Sequence, residues 1–245
     1  MADHRMNILS TRPLSQHILS EASRLGFQID TIPFIDVAYS ASDETVKAIL
    51  QMLDRPAFVV FTSKHAVEAI SKVITDKIPD WKVFCLSGAT LEAVENLFGK
   101  KSVLGKSDSA KVLSRLIIEN QVPELVFFCG NQRRDDLLVN LSEQNIHVQE
   151  HVVYQTHETP VKLDRTFRAI LFFSPSAVKS FFSSNHPDQE VIFFAIGRTT
   201  ADAIKNHTKN KMVVAEFPSE ENMLNKLINF FKEDESAEQF VKKIR

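Results

Sequence analysis

The sequence predicts an α/β protein made of two similar parallel-sheet domains. Two observations carry this. Short apolar runs rich in Val, Ile and Phe alternate with helical stripes across short polar turns, the order that specifies parallel sheets with right-handed crossovers. Those runs are apolar throughout rather than at every second position, as in strands covered by helices on both faces. A third observation, self-similarity at a long offset, divides the chain in two.

In order along the chain, Asn7-Ile8-Leu9-Ser10 is the first strand. Thr11-Arg12-Pro13 opens a helix to about Leu25, with Pro13 suited to its first turn and Gly26 to its end. Phe27 to Val37 is extended, and Pro33 within it points to an edge strand or connector. Ser42-Asp43-Glu44 caps a helix whose stripe is Val46, Ile49, Leu50 and Leu53. Ala57 to Phe61 is a strand, turning at Thr62-Ser63 into a helix with Ala66, Val67, Ala69 and Ile70. Lys82 to Leu86 is the next strand, breaking at Ser87-Gly88 into a helix with Leu91, Val94 and Leu97.

A short strand at Val103 precedes the capping sequence Ser107-Asp108-Ser109 and a helix over Ala110 to Glu119. Leu125 to Cys129 is a strand, Gly130 to Arg134 its turn, and Leu137, Leu138 and Leu141 mark the helix that follows. Val148 to Thr156 is extended and carries Tyr154, one of two tyrosines. Ala169 to Phe173 is a buried strand. After it Ser174 offers a cap, Pro175 a preset first helical residue, and Ala177, Val178, Phe181 and Phe182 an apolar stripe. Val191 to Ala195 leads through Gly197-Arg198-Thr199-Thr200 into a helix, and Met212 to Ala215 is the last strand. Pro218-Ser219-Glu220 starts a helix through Phe231, followed by a charged, peripheral tail in which Phe240, Val241 and Ile244 suggest a frayed final helix.

The strand–turn–helix at Phe61-Thr62-Ser63-Lys64-His65-Ala66-Val67 parallels Phe172-Phe173-Ser174-Pro175-Ser176-Ala177-Val178, about 110 residues on. Phe84 to Ala93 parallels Phe194 to Ala203, Ser107-Asp108-Ser109 parallels Pro218-Ser219-Glu220, and Asn7 to Val37 parallels Val126 to Thr156. Four matches in one order describe an internal duplication. The repeat by itself fits a plain tandem as well as a discontinuous arrangement. Two such domains joined by extended segments are expected to hold a ligand in a cleft at the carboxyl ends of their strands.

Composition narrows the chemistry. A hydrophobic share of 44% supports a sizeable core, and a net charge of −2 argues against a bulk affinity for nucleic acid or membrane. No apolar run approaches the roughly 20 residues of a membrane span, and the N-terminal strand is too short for a signal peptide's apolar region, so the expectation is a cytoplasmic protein. Cys85 and Cys129, the two cysteines, sit in apolar strands and read as buried free thiols. Six glycines leave no glycine-rich phosphate loop, and the eight histidines show no metal-site spacing with cysteine. Asp135-Asp136, next to Arg133-Arg134 at a helix start, reads as a dipole-matched surface pair rather than an acid pair.

What remains is a set of hydroxyls, amides and cations at the turns. Arg12, Thr62, Ser63, Ser87, Gly130, Arg133, Ser174, Pro175, Ser176, Gly197, Thr199 and Thr200 are the candidate substrate-binding residues. Each hydroxyl is equally explained as a helix cap, because a cap and an anion seat use one geometry. Recurring cations at equivalent turns suit a ligand with several carboxylates. Tyr154 offers a phenol that can pack or serve as a weak acid and hydrogen-bond donor.

The stretches Ser10-Thr11-Arg12-Pro13, Phe61-Thr62-Ser63 with Ala66-Val67, Val153-Tyr154-Gln155-Thr156, Phe173 to Val178 and Ala195 to Ala201 resemble the uroporphyrinogen-III synthase family, in order and spacing. One departure is His65, where that family more often carries asparagine; Lys64 and Arg198 fall at variable positions. The resemblance implies two flavodoxin-like α/β domains. Residues 1–36 with 156–245 would form one, 38–148 an inserted second, and 29–37 with 149–156 a two-stranded linker. It implies closure of hydroxymethylbilane to uroporphyrinogen III with inversion of ring D and loss of water, by a lyase that needs no cofactor and no metal. It implies a monomer with transient hand-over from hydroxymethylbilane synthase. Tyr154 matches the tyrosine that assists departure of the hydroxyl; Ser174, Ser176, Thr199 and Thr200 match substrate-contacting turns. The competing reading is a non-enzymatic two-domain sensor or binding module for a polyanionic small molecule.

Overall fold

The structure, a computed structural model, describes residues 6–75, 77–133 and 135–244, with side chains described as far as 233. Arg134 and the side chains of Phe240, Val241 and Ile244 lie outside the described residues. The chain divides into two compact units, Met1–Asp36 with Glu158–Arg245, and Val37–His157.

The elements follow the apolar runs. They begin with β1 (Met6–Ser10), α1 (Gln16–Arg24), β2 (Phe27–Thr31), β3 (Ile35–Ala38), α2 (Asp43–Met52), β4 (Ala57–Phe61) and α3 (Lys64–Val73). Next come β5 (Trp81–Leu86), α4 (Ala89–Phe98), β6 (Val103–Ser107), α5 (Ala110–Glu119), β7 (Glu124–Gly130) and α6 (Asp136–Ser142). The chain finishes with β8 (His147–Glu158), β9 (Ala169–Phe172), α7 (Pro175–Phe182), β10 (Ile192–Ala195), α8 (Arg198–Lys205), β11 (Met212–Val214) and α9 (Glu220–Ile244).

The first unit holds a five-stranded sheet in the order β11-β10-β9-β1-β2, with β1 parallel to β2 and β9, and β10 parallel to β9 and β11. Both faces are covered. Ile18 and Ala22 of α1 and Met223, Leu224 and Leu227 of α9 pack on Ile8, Leu171 and Phe194. Ala177, Val178 and Phe181 of α7 and Ala201 and Ile204 of α8 pack on Leu9, Ile170, Phe172 and Phe193. Two-sided coverage is why β9 and β10 are buried at every residue.

The second unit is built around the sheet β3-β8-β7-β4-β5-β6, in which β4 runs parallel to β5 and β7, β5 to β6, and β7 to β8. Helices α2, α3 and α4 cover one face through Ile49, Val67, Ile70 and Val94, and α5 and α6 the other through Leu113, Ile117, Leu137 and Leu141. Cys85 and Cys129 are free, buried thiols. The α/β class with parallel sheets is therefore present.

Several local expectations change. Pro13 lies outside α1, which begins at Gln16 after Ser15; the Ser15 amide is bound by the Glu220 carboxylate (3.0 Å) instead of opening the helix earlier. Residues 29–31, expected in the linker, belong to β2, where Ile8 pairs with Ile29 and Ser10 with Thr31. Residues 149–154 likewise belong to β8 and are laddered to β7. The segment after Phe231 is helical as expected, but it is one helix with what precedes it rather than a separate final one: α9 continues to Ile244.

Candidate active site

Because the strands of each ladder are parallel, their polar turns gather at one edge of each sheet. In the second unit β4 ends at Phe61 and Ser63 caps α3: its backbone is extended and its hydroxyl accepts from the His65 amide (3.2 Å). Beside it stands Tyr154, its phenol close enough to the Ser63 hydroxyl for that group to influence its ionisation.

Tyr154 reaches this position because β8 is bulged. Cys129 pairs with Val152 but Gly130 pairs with Tyr154, so the register skips Val153. Successive strand residues ordinarily point to opposite faces. Here Val153 and Tyr154 both pack on the cluster that contains Phe61, Val67 and Phe128. The phenol lies across Gly130, where a Cβ would be 2.8 Å from its oxygen and nearer still to its ring. Only glycine leaves room for that approach. The turn beyond Gly130 is clamped to β8: the Asn131 amide donates to the Tyr154 carbonyl (3.2 Å), Asn131 Oδ1 accepts from the Thr156 amide (2.8 Å), and Gln132 Nε2 donates to the Thr156 carbonyl (3.1 Å). Burial raises the Tyr154 phenol above its ordinary pKa, with the Ser63 hydroxyl opposing. At neutral pH it is a donor, not a base.

The remaining turns of this unit are plainer. Ser87 donates its amide to the Ser107 carbonyl (2.8 Å), and Gly88 enters α4 at φ 72°, ψ −139°, a conformation open to glycine alone. Thr62 is half-buried beside Ser63. Arg133 is ion-paired with both Glu150 and Asp135, and the Glu150 hydrogen bond raises its pKa further. Its charge is already answered within the protein.

In the first unit Ser174 caps α7, accepting from the Ala177 amide (3.2 Å), with Pro175 at the first helical position and Ser176 half-buried behind it. Gly197 precedes α8 in extended backbone and offers no side-chain cap, so the first amides of α8 depend on an outside acceptor. Thr199 is half-buried in that first turn. Thr200, in the same turn, is buried, with 2% of its surface exposed. Arg12 lies over the Phe173 ring (4.3 Å) and pairs with Glu220 (3.1 Å); burial draws its pKa down while Glu220 opposes. Its neighbour Thr11 is structural, its hydroxyl buried against the Leu171 carbonyl (2.8 Å).

So Tyr154, Ser63 and Gly130 meet in one place, while Arg12 and Arg133 are held by carboxylates. Sequence reasoning passed over Tyr39, Glu68, Asn131 and Gln132. Of these only Tyr39 carried a signal, as the second of two tyrosines. Among the described residues no cluster of His, Cys, Asp and Glu could hold a metal ion.

The family model for uroporphyrinogen-III synthase HemD matches residues 16–225. The chain belongs to the uroporphyrinogen-III synthase family. Its fold is shared with solved members that are distant in sequence. A mutant uroporphyrinogen III synthase from the extremely thermophilic bacterium Thermus thermophilus is 16% identical and superposes with a TM-score of 0.64 over 93% of this chain and 99% of that one. Uroporphyrinogen-III synthetase from Helicobacter pylori gives the same identity and TM-score over 92% of this chain and 99% of its own. No curated protein matches the chain by sequence. As a member of the uroporphyrinogen-III synthase family it is a lyase of porphyrin biosynthesis acting on a small tetrapyrrole, and no described helix is long and apolar enough to cross a membrane.

Proposed function

We propose that the protein closes linear hydroxymethylbilane to uroporphyrinogen III, with Tyr154 as the residue that assists loss of the hydroxyl. The observation that carries this role is the phenol held across Gly130 beside the Ser63 hydroxyl and kept protonated by burial. The pyrrole nitrogen's lone pair expels the hydroxyl from the terminal methylene, and the Tyr154 O–H donates a hydrogen bond to the departing oxygen. The resulting azafulvenium carbon is attacked by the substituted carbon of ring D, giving a spiro intermediate. Fragmentation and re-closure invert that ring, and the proton lost from it balances the hydroxide as water. Most of the task is conformational, because the bilane also cyclises unaided to the uninverted isomer; a scaffold that orients it supplies the selectivity. Ser63, Ser174, Ser176, Thr199 and the first amides of α8 suit the substrate's carboxylates.

The same reading makes the protein a duplicated one. The orders β11-β10-β9-β1-β2 and β6-β5-β4-β7-β8 correspond strand for strand, which supports an internal repeat whose N-terminal strand–helix completes the discontinuous domain. The neighbouring β3 and β8 support a two-stranded connection. It would act as a monomer in the cytoplasm, taking its unstable substrate from hydroxymethylbilane synthase.

Purified protein mixed with freshly generated hydroxymethylbilane should yield isomer III in excess of isomer I after oxidation. Tyr154→Phe should lower turnover by about 10²–10⁴-fold, the range of a lost acid contribution, without unfolding the protein. Unchanged turnover would remove Tyr154 from the reaction. Binding without product would instead favour a non-enzymatic module.

A further inference from the structure

The Tyr154 phenol has a second neighbour. His65, one residue inside α3, sets its ring 5.7 Å from the Tyr154 ring at a tilt of 53°. Its Nδ1 lies 3.0 Å from Glu68 Oε2 and 3.3 Å from the Tyr39 hydroxyl, and that hydroxyl donates to the same Glu68 oxygen. Lys64 approaches the other carboxylate oxygen at 3.8 Å, and Lys72 sits 3.6 Å over the Tyr39 ring. An i,i+3 His–Glu pair on a helix is ordinarily a solvated contact of little consequence. This one is bound by a phenol from a separate segment and faces the proposed reaction residue. A carboxylate at one imidazole nitrogen fixes the ring's tautomer and orientation and stabilises its charged form.

We propose that His65, oriented by Glu68 and Tyr39, is a positioning residue for Tyr154, its imidazolium placing positive charge beside the phenol as the substrate's hydroxyl departs. This rests on the reading of Tyr154 given above. No proton passes to or from His65: the phenol's hydrogen bond strengthens as negative charge grows on the leaving oxygen, and a nearby cation favours that charge. Among the described residues the groups facing His65 include Lys64 and Glu68 from α3, Tyr39 with Lys72 behind it, and Tyr154 from β8 with the Cys129 thiol beyond it. Burial pushes the Cys129 thiol up to about 11, so it is neutral at working pH. Burial would raise Glu68, but the hydrogen bonds from Tyr39 and His65 and the charge of Lys64 hold it below its ordinary value. The carboxylate therefore stays charged at neutral pH.

The test is the pH profile of kcat for isomer III formation. In the wild-type protein kcat should fall as pH rises and His65 loses its proton. His65→Asn should lower the plateau by about tenfold and abolish that limb, one pKa unit of phenol tuning being a tenfold effect. Glu68→Gln should keep the limb and move it to lower pH. Should His65→Asn fail to fold, as judged by thermal unfolding, Glu68→Gln carries the test. A His65→Asn profile that overlays the wild type, a uniform drop with the limb intact, or an unshifted limb in Glu68→Gln each overturns the inference. Failure of the wild-type protein to form isomer III overturns the underlying function instead.

Discussion

Replacing Gly130 with alanine separates placement of Tyr154 from the presence of its hydroxyl. The added Cβ would lie 2.8 Å from the phenol oxygen and closer to the ring, whereas ordinary contact begins at 3.4 Å. Backbone at Gly130 is held by its ladder to β8 and by the Asn131 amide on the Tyr154 carbonyl, so the ring gives way rather than the strand. Restoring contact distance requires a shift on the order of 1 Å, and a displacement of that size can cost about 10²-fold in rate. Overpacking should also cost about 1–3 kcal/mol of stability, well short of unfolding a domain. Gly99→Ala is the matched control. Gly99 has φ +83° and ψ 154° with nothing within 4 Å of an added methyl, so alanine there incurs about 1–3 kcal/mol of backbone strain and leaves Tyr154 in place. Steady-state formation of isomer III, read beside urea denaturation, should show similar stability losses in the two variants and a large fall in kcat for Gly130→Ala only. Equal kcat in the two variants would refute the argument that Gly130 exists to admit the phenol.

Three further outcomes follow from the geometry. Ser174→Ala removes the hydroxyl that receives the Ala177 amide and should cost about 1 kcal/mol, with KM raised more than kcat if the same hydroxyl meets substrate. Thr11→Val should cost about 1 kcal/mol in thermal unfolding while leaving KM unchanged, since the Thr11 hydroxyl is spent on the buried Leu171 carbonyl; a raised KM would return it to the binding surface. His151 is 8% exposed, stacks on Phe128, and among the described residues has no hydrogen-bond partner at Nε2, and burial lowers its pKa below the ordinary 6.5. The unfolded chain therefore takes up the proton first. Stability should fall as pH drops below about 6.5 and level off beneath the depressed folded value. His151→Phe should flatten that part of the profile, and a wild-type stability that is constant from pH 7 to 5 would show that His151 is not its source.

Much of the architecture was legible in the chain because it depends on local chemistry. Two-sided apolar runs such as Ala169 to Phe172 become strands wherever helices cover both faces, and Ser63, Ser109 and Ser174 mark helix starts because their hydroxyls meet the first free amides within the same turn. Pro13 and the linker edges misled for the complementary reason. The Ser15 amide is satisfied by Glu220, 205 positions away, and β2 is fixed by its ladder to β1, neither of which a local pattern contains. Charges mislead in the same way: Arg12 and Arg133 look available in sequence, and their carboxylate partners Glu220 and Glu150 become neighbours only on folding.

The sequence by itself determined that this is an α/β chain with parallel sheets, where its capped turns lie, and which family it resembles. The tertiary structure alone decided how Tyr154 is presented. Strict alternation along β8 would turn Tyr154 away from the face that Val153 packs against; the bulge opposite Gly130 brings both to one face and lays the phenol across a residue with no side chain, in reach of Ser63 and His65. A bulge is a property of two strands in register, and no single stretch of sequence encodes it.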